Sequence, residues 1–412
     1  MRTVWKADLW RSAKKRAGLG GIEMTPPEKC PYCSDAYIVK CGHIYTHKTC
    51  WQKYKCKTCN RYFTQQVERP IKKLLYNPET FEYQSKPIPK QNWSAYTEAQ
   101  NNEKQMLMSV MSELLSIVKI EVKNGKLGRS YLDMKDMCFS HVLKTYTKLS
   151  SRRLNSDLEK AKDDEFINTV PHFTTLMNWL EKEEMTQLLL ELIKLSALPM
   201  KGIESQYAID SSGFSSSQFG RWFNFKYNEE RICRNWVKAH IMIGTNTNMV
   251  TSVELSKAYG SDSPRLEALV EKTCKDFDVK EVTADKAYSS RKNLQIIVDK
   301  GAIPYIPFKK NTRPKSFGVS IWRNMHHYLQ THPQEFFEKY HRRSNVETTF
   351  SMIKQKFGKD VVSRNFQSQT NEVLLKILCH NICCLIHAYF ENNIDSLYST
   401  EQLKNVETKR MG

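Results

Sequence analysis

The stretch YHRRSNVETTFSMIK, residues 340–354, concentrates residue types that can do chemistry. Tyr340, Arg343, Glu347 and Lys354 follow one another at steps of three, four and seven residues. At 3.6 residues per turn those steps bring all four side chains to one helical face. One carboxylate then lies between two cations and a phenol, a set suited to holding an anion through a metal ion. Ordinary Glu–Arg and Glu–Lys pairing on a solvated helix would account for the same charges. Val346, Phe350, Ile353 and Phe357 recur at helical spacing on a neighbouring face and can bury.

Two further carboxylates close predicted strands. Asp210 ends QYAID and Asp285 ends VKEVTAD. Between them WVKAHIMIG alternates, with Val237, Ala239, Ile241 and Ile243 on one face; TNTN turns the chain and MVTSVEL returns as a hairpin partner. SPRLEALVEKTCKDF reads as a helix opening at Ser263 with Pro264 in its first turn. SSRKNLQIIVDKG is a helix closed by Gly301, AIPYIPF a short strand, and LLKILCHNICCLIHAYF a last apolar helix. The order is strand, strand, strand, helix, strand, helix, strand, helix. If the first and fourth strands are parallel neighbours, right-handed crossovers return the chain to the same end of the sheet. Asp210, Asp285 and Glu347 then converge. Crowded carboxylates repel unless cations sit between them, and hard oxygen ligands suit Mg²⁺ or Mn²⁺. Two such ions can activate an attacking oxygen and stabilise a leaving one in phosphoryl transfer. Capping of a turn is the simpler account of any single strand-end aspartate.

A second constellation lies near the front of the chain. Six of the twelve cysteines fall between Cys30 and Cys59. Cys30-x-x-Cys33 and Cys56-x-x-Cys59 form two pairs, and two such turns complete a tetrahedron around Zn²⁺. YIVK and QKYKC between them read as short strands. Cys41, His43, His47 and Cys50 are further possible ligands, irregularly placed. With no export signal, such clustering indicates metal binding in a reducing compartment and not a disulfide framework.

The formal net charge is +19 from 63 basic and 44 acidic residues. That excess predicts a polyanionic partner, nucleic acid or an anionic membrane surface. The chain contains no apolar run that reads as long enough to span a bilayer, which favours nucleic acid. The chain divides into a basic arm over 1–25, a zinc ribbon over 26–66 and a proline-rich, basic linker over 67–100. A helical region follows over 101–198, an α/β region over 199–395 and a polar tail over 396–412. Within the helical region, SSRRLNSDLEKAK and VPHFTTLMNWLEK suit a helix-turn-helix that reads DNA, or two members of a small bundle. Trp222, Phe223 and Phe225, with Arg221 and Lys226, could stack on an opened base or pack a loop. Cys379, His380, Cys383, Cys384 and His387 share one apolar helix and are expected in the core, as is His240 on its strand.

The motif Tyr340-x2-Arg343-x3-Glu347-x6-Lys354 resembles the third-acid motif of one large group of insertion-sequence DDE transposases. AIDSSGF around Asp210 resembles that family's first-acid motif, and TADKAYSS around Asp285 its second. The likeness covers about residues 200–390, and the cysteine-rich segment is similar to the zinc ribbons at the front of many such proteins. The resemblance implies an RNase H-like catalytic domain, a mixed five-stranded sheet flanked by helices. It implies metal-dependent cleavage of DNA at element ends, then attack of a 3′-hydroxyl on target DNA. Asp210, Asp285 and Glu347 would hold Mg²⁺ (or Mn²⁺), Tyr340, Arg343 and Lys354 would contact DNA phosphates, and Cys30, Cys33, Cys56 and Cys59 would hold Zn²⁺. The partners would be element-end and target DNA and further copies of the chain, as a homodimer or higher assembly, in a prokaryotic cytoplasm on the nucleoid. The alternatives are a transposase-derived DNA-binding protein without activity, and a metal-dependent nuclease without strand transfer.

Overall fold

A computed structural model of the protein describes residues 27–45, 50–67, 81–84, 92–118, 133–216, 226, 236–309, 312 and 318–392. The expected basic arm, the polar tail and the Arg221–Phe225 aromatic stretch lie outside these residues. The chain forms two compact units, Met1–Glu79 and Thr80–Gly412.

The first unit holds β1 (Ile38–Tyr45), β2 (Cys50–Cys56) and β3 (Tyr62–Val67) in an antiparallel sheet of order β1-β2-β3. Burial along β2 alternates: Gln52, Tyr54 and Cys56 are buried, while Trp51, Lys53 and Lys55 are partly open. One face therefore packs, with Tyr54 stacked on Phe63 at 5.5 Å between ring centroids. The other faces solvent, the usual division of an antiparallel sheet.

In the second unit, α1 (Trp93–Ile117), α2 (Met134–Thr147), α3 (Asn155–Asp163), α4 (Phe173–Trp179) and α5 (Glu183–Ala197) come first. α1 starts inside the stretch expected as linker. Asn92 caps it by accepting the Ala95 N–H, and no proline lies between 92 and 117 to oppose the helix. The sequence expectation gave too much weight to the prolines before residue 90. Helices α3 and α4 are joined by residues 164–172, longer than the three- or four-residue turn of a helix-turn-helix. The short turn, 180–182, instead joins α4 to α5.

The sheet of this unit has five strands in the order β6-β5-β4-β7-β8. They are β4 (Gln206–Ser215), β5 (Trp236–Gly244), β6 (Val250–Lys257), β7 (Glu281–Ala284) and β8 (Ile303–Tyr305). β4, β5 and β6 pair antiparallel; β4–β7 and β7–β8 pair parallel. α6 (Arg265–Cys274) and α7 (Arg291–Asp299) form the crossovers. α8 (Ser320–Thr331), α9 (Pro333–Tyr340), α10 (Ser344–Phe357) and α11 (Phe366–Asn392) complete the unit. The sheet is mixed, five-stranded and flanked by helices, as the sequence led us to expect. β5 departs from strict alternation, because Ala239 to Ile243 are all buried. Helices cover both faces of a central strand, which removes the need for a polar side.

α11 corrects the expectation that no segment could span a membrane. Phe366–Glu391 is long and apolar enough to do so by length and composition. Most of that stretch is buried inside the protein, against α1, α2 and α5, so it is the central core helix of this unit. Polar pegs fix its register. Asn381 accepts the Val250 N–H and donates to the carbonyls of Val250 and Ile193. Asn371 donates to the carbonyls of Leu180 and Lys182 and accepts the Thr186 hydroxyl. Each peg satisfies groups that would otherwise be buried without partners.

Candidate functional site

The parallel register pairs Ile209 with Ala284, so Asp210 and Asp285 are the next residues on two adjacent strands. Ahead of them Tyr207, Ala208 and Ile209 are fully buried, and burial relaxes from Asp210 through Ser212. The two acids therefore lie where the sheet core opens to solvent. Asp285 caps the 3-10 turn Lys286–Tyr288 by accepting the Lys286 N–H. The strand-end capping considered for such residues is thus present, alongside the neighbouring acid.

The third acid comes from α10, which packs on β4. The expected single helical face is interrupted. Tyr340 ends α9, His341–Arg343 form a 3-10 turn, and Ser344 opens α10. The tighter turn still keeps Tyr340 and Arg343 together, with the guanidinium 5.9 Å from the phenol centroid. Arg343 donates through Nη1 to Asp210 Oδ2 at 2.8 Å and through Nη2 to Glu347 Oε1. One guanidinium thereby links the first and third acids. Burial raises the Asp210 pKa, and the charges of Asp285 and Glu347 raise it further against the opposing Ser211 N–H and Arg343. Asp210 thus feels the charge of both other acids. The oxygens of the three acids are not gathered as closely as ligands of one ion. Among the described residues only the four cysteines are. Burial also raises the Tyr340 pKa, which keeps its phenol protonated as a hydrogen-bond donor.

Lys354 lies farther along α10. Its Nζ donates to Ser212 Oγ at 2.6 Å and sits 5.3 Å from the Phe214 ring centroid. Asp210, Ser212 and Phe214 alternate onto one face of β4, the face that meets α10. Burial lowers the Lys354 pKa. Val346, Phe350, Ile353 and Phe357 are buried beneath, as their spacing predicted.

Three supports of α10 escaped the sequence reading. Asn345 donates to the Thr245 carbonyl. Lys356 pairs with buried Glu103 of α1, which also accepts the Tyr146 hydroxyl at 2.7 Å. Lys376 of α11 is buried and donates to the carbonyls of Gly358 and Asp360, closing the chain after the helix. Gly358 has a φ of +91°, a conformation that favours glycine. A lysine inside an apolar helix carries no pattern that announces such a cap.

In the first unit, Cys30, Cys33, Cys56 and Cys59 bring their sulfurs within 4.8 Å of one another. Cys30 and Cys59 are 3.7 Å apart, Cys33 and Cys56 3.5 Å. Tetrahedral thiolates about 2.3 Å from Zn²⁺ stand about 3.8 Å apart, so the donor set fits that ion. The Cys59 N–H is the largest of several causes that pull the Cys56 pKa down to about 6, toward the ligand form. Of the other candidates, Cys41 is exposed and bonded to the Val39 carbonyl. His47 and the side chains of His43 and Cys50 lie outside the described residues.

Of the residues expected in the core, Cys379, His380, Cys383 and His240 are buried, while Cys384 and His387 are partly open. Cys379 donates to the Val142 carbonyl, and His380 bonds the Asn248 carbonyl at 3.0 Å. His240 is buried and bonds Ser256 at 2.9 Å, and burial pulls its pKa down to about 4.

Residues 201–382 match the family described as Transposase DDE domain, and the mixed five-stranded sheet is consistent with the RNase H-like arrangement that the resemblance implied. The chain is 22% identical over 296 residues to the probable transposase for insertion sequence element ISA1214 of Archaeoglobus fulgidus, covering 71% of this chain and 87% of the relative. Among solved structures it is similar to a piggyBac transposase synaptic complex with hairpin DNA. That match has 12% identity and a TM-score of 0.35, and covers 73% of this chain and 76% of the other.

Proposed function

We propose that the protein is a metal-dependent transposase that cuts DNA at the ends of a mobile element and joins them to target DNA. The observation that carries this reading is the parallel β4–β7 register, which sets Asp210 beside Asp285 while Arg343 links Asp210 to Glu347. All three acids fall within the matched region. Asp210, Asp285 and Glu347 would hold Mg²⁺ or Mn²⁺. When bound, such ions activate the attacking oxygen and stabilise the leaving one. Burial raises the Asp210 pKa and the charges of Asp285 and Glu347 add to it, a cost of the ionised form that a divalent cation would relieve.

The chain's own groups supply positioning. Arg343 balances two of the acids and carries a planar donor fork that also suits a phosphate. Tyr340 offers a protonated phenol, and Lys354 a half-buried ammonium near the same strand. The four cysteines would hold Zn²⁺ as a closed structural site. DNA, as element ends and as target, is the partner, with two or more copies of the chain assembled on it in a prokaryotic cytoplasm.

The test is incubation of the full chain with Mg²⁺ and DNA carrying the element's own ends. Cleavage at those ends and products joined to a second DNA are expected. Cleavage without joining would indicate a nuclease. Tight binding without cleavage would indicate a DNA-binding relic. Binding should also weaken steeply with salt, because each phosphate neutralised by Lys or Arg releases counterions. For six to ten such contacts, affinity should fall about 10³- to 10⁵-fold between 50 and 200 mM salt. A flat salt dependence would remove phosphate contact as the basis of binding.

Lys354→Ala separates positioning from metal binding. It removes one charge-assisted contact and none of the acids. End binding or cleavage should drop roughly tenfold to a hundredfold, with Mg²⁺ dependence unchanged. Wild-type cleavage and binding by this variant would show that Lys354 serves only Ser212 and the Phe214 ring.

A further inference from the structure

The solvent face of the ribbon sheet carries a pattern that the acid site does not use. The β2–β3 register sets Lys55 opposite Tyr62 and Lys53 opposite Thr64, and the β1–β2 register sets Val39 opposite Lys55. Opposed residues share a face, so Lys53, Lys55, Tyr62 and Thr64 stand together, away from buried Tyr54 and Gln52. Lys53 Nζ lies 4.3 Å and Lys55 Nζ 5.3 Å from the Tyr62 ring centroid. The Tyr62 ring remains open, at 51% exposure. Large exposed aromatics beside cations are more than a packing sheet requires. Residues 27–67 hold seven Lys and Arg against two acids, so the unit stays basic even after four thiolates bind a divalent ion.

We infer that this face binds single-stranded DNA, with a base stacked on Tyr62 and the backbone met by Lys53 and Lys55. Stacking needs an unpaired base whose flat side is accessible, which duplex DNA does not present along its length. The cations neutralise phosphates whatever the sequence, so the surface takes a strand by its backbone and ring faces with little base preference. The inference stands on the ribbon's own surface and is independent of the three acids.

The experiment uses the full zinc-loaded chain. The probes are a fluorescent oligothymidine of about twenty nucleotides, a duplex of equal length, and an oligothymidine carrying 5-iododeoxyuridine for photocrosslinking. Crosslinks should map to the peptide holding Tyr62. Tyr62→Leu should weaken oligothymidine binding about five- to a hundredfold and leave duplex binding within twofold, with zinc content unchanged. If that variant loses zinc, Lys53→Gln with Lys55→Gln replaces it, and should weaken oligothymidine binding with a shallower salt dependence. Crosslinks that avoid Tyr62, unchanged oligothymidine affinity, or equal losses on single strand and duplex would overturn the inference.

Discussion

Asp210→Asn, Asp285→Asn and Glu347→Gln should each lower strand cleavage by on the order of a thousandfold or more, with DNA binding kept within a few-fold. Each change keeps side-chain size and removes one negative oxygen. Loss of a metal ligand removes several kcal/mol of transition-state stabilisation, and each ~1.4 kcal/mol is tenfold in rate. Stability should move the other way, or not at all. Asp210 is held partly buried among like charges, so its neutral amide relieves repulsion. The amide keeps one acceptor oxygen for the two donors the carboxylate meets, the Ser211 N–H and Arg343 Nη1, which offsets part of that relief. Glu347 is largely open at its carboxylate, with 57% side-chain exposure, so its amide should be silent in a melting curve. The measurements are cleavage rate, DNA affinity and melting temperature for all four proteins in one buffer. A variant that cleaves at near the wild-type rate would take that acid out of the set. A variant that loses cleavage together with its fold would have to be replaced by the corresponding Ala before anything is concluded.

Removing the zinc should unfold the ribbon while the second unit survives. Among its described residues the sheet closes off only Gln52, Tyr54 and Cys56, with Tyr54 stacked on Phe63. A short three-stranded sheet with so small a core does not hold itself together. Structural Zn²⁺ in small domains of this type contributes an apparent ~10–16 kcal/mol near neutral pH, which is folding energy. A strong chelator, or Cys56→Ser, should therefore abolish amide-exchange protection across β1 to β3. Protection in β4, β5 and α11 should stay as it was. Elemental analysis should give one zinc per chain before chelation and none after. Persistent protection of the ribbon strands in zinc-free protein would mean that packing alone holds them. Because the cysteines must be deprotonated to bind, zinc should also be released on acidification.

Much of the second unit was legible from local pattern. Strand-length apolar runs in QYAID, WVKAHIMIG and VKEVTAD, and the helical repeat of Val346, Phe350, Ile353 and Phe357, depend only on backbone periodicity and burial. Both survive in the structure. The two Cys-x-x-Cys pairs were equally readable, because a metal site needs ligands of one type at a bite that a turn can reach. Where periodicity was faint, local reading failed. The start of α1 at Trp93 depends on Asn92 as a cap, and prolines just upstream obscured it. The break at His341–Arg343 left the four-residue motif in spatial agreement while dividing it between a helix end, a 3-10 turn and a new helix.

The sequence alone determined which residue types were available and which elements carried them: three acids at element ends, a cationic helix and four thiols in two pairs. Only the tertiary structure decided that β4 and β7 are parallel neighbours, that Arg343 bridges two of the acids, and that α11 is a core helix. It also placed Glu103 under Lys356 and Lys376 over the end of α10. The physical reason is the range of the forces. Periodicity and turn chemistry act within a few residues and leave a local trace. Strand pairing and the satisfaction of buried charges join residues hundreds of positions apart, and they are settled only when burial makes an unpaired group too costly to keep.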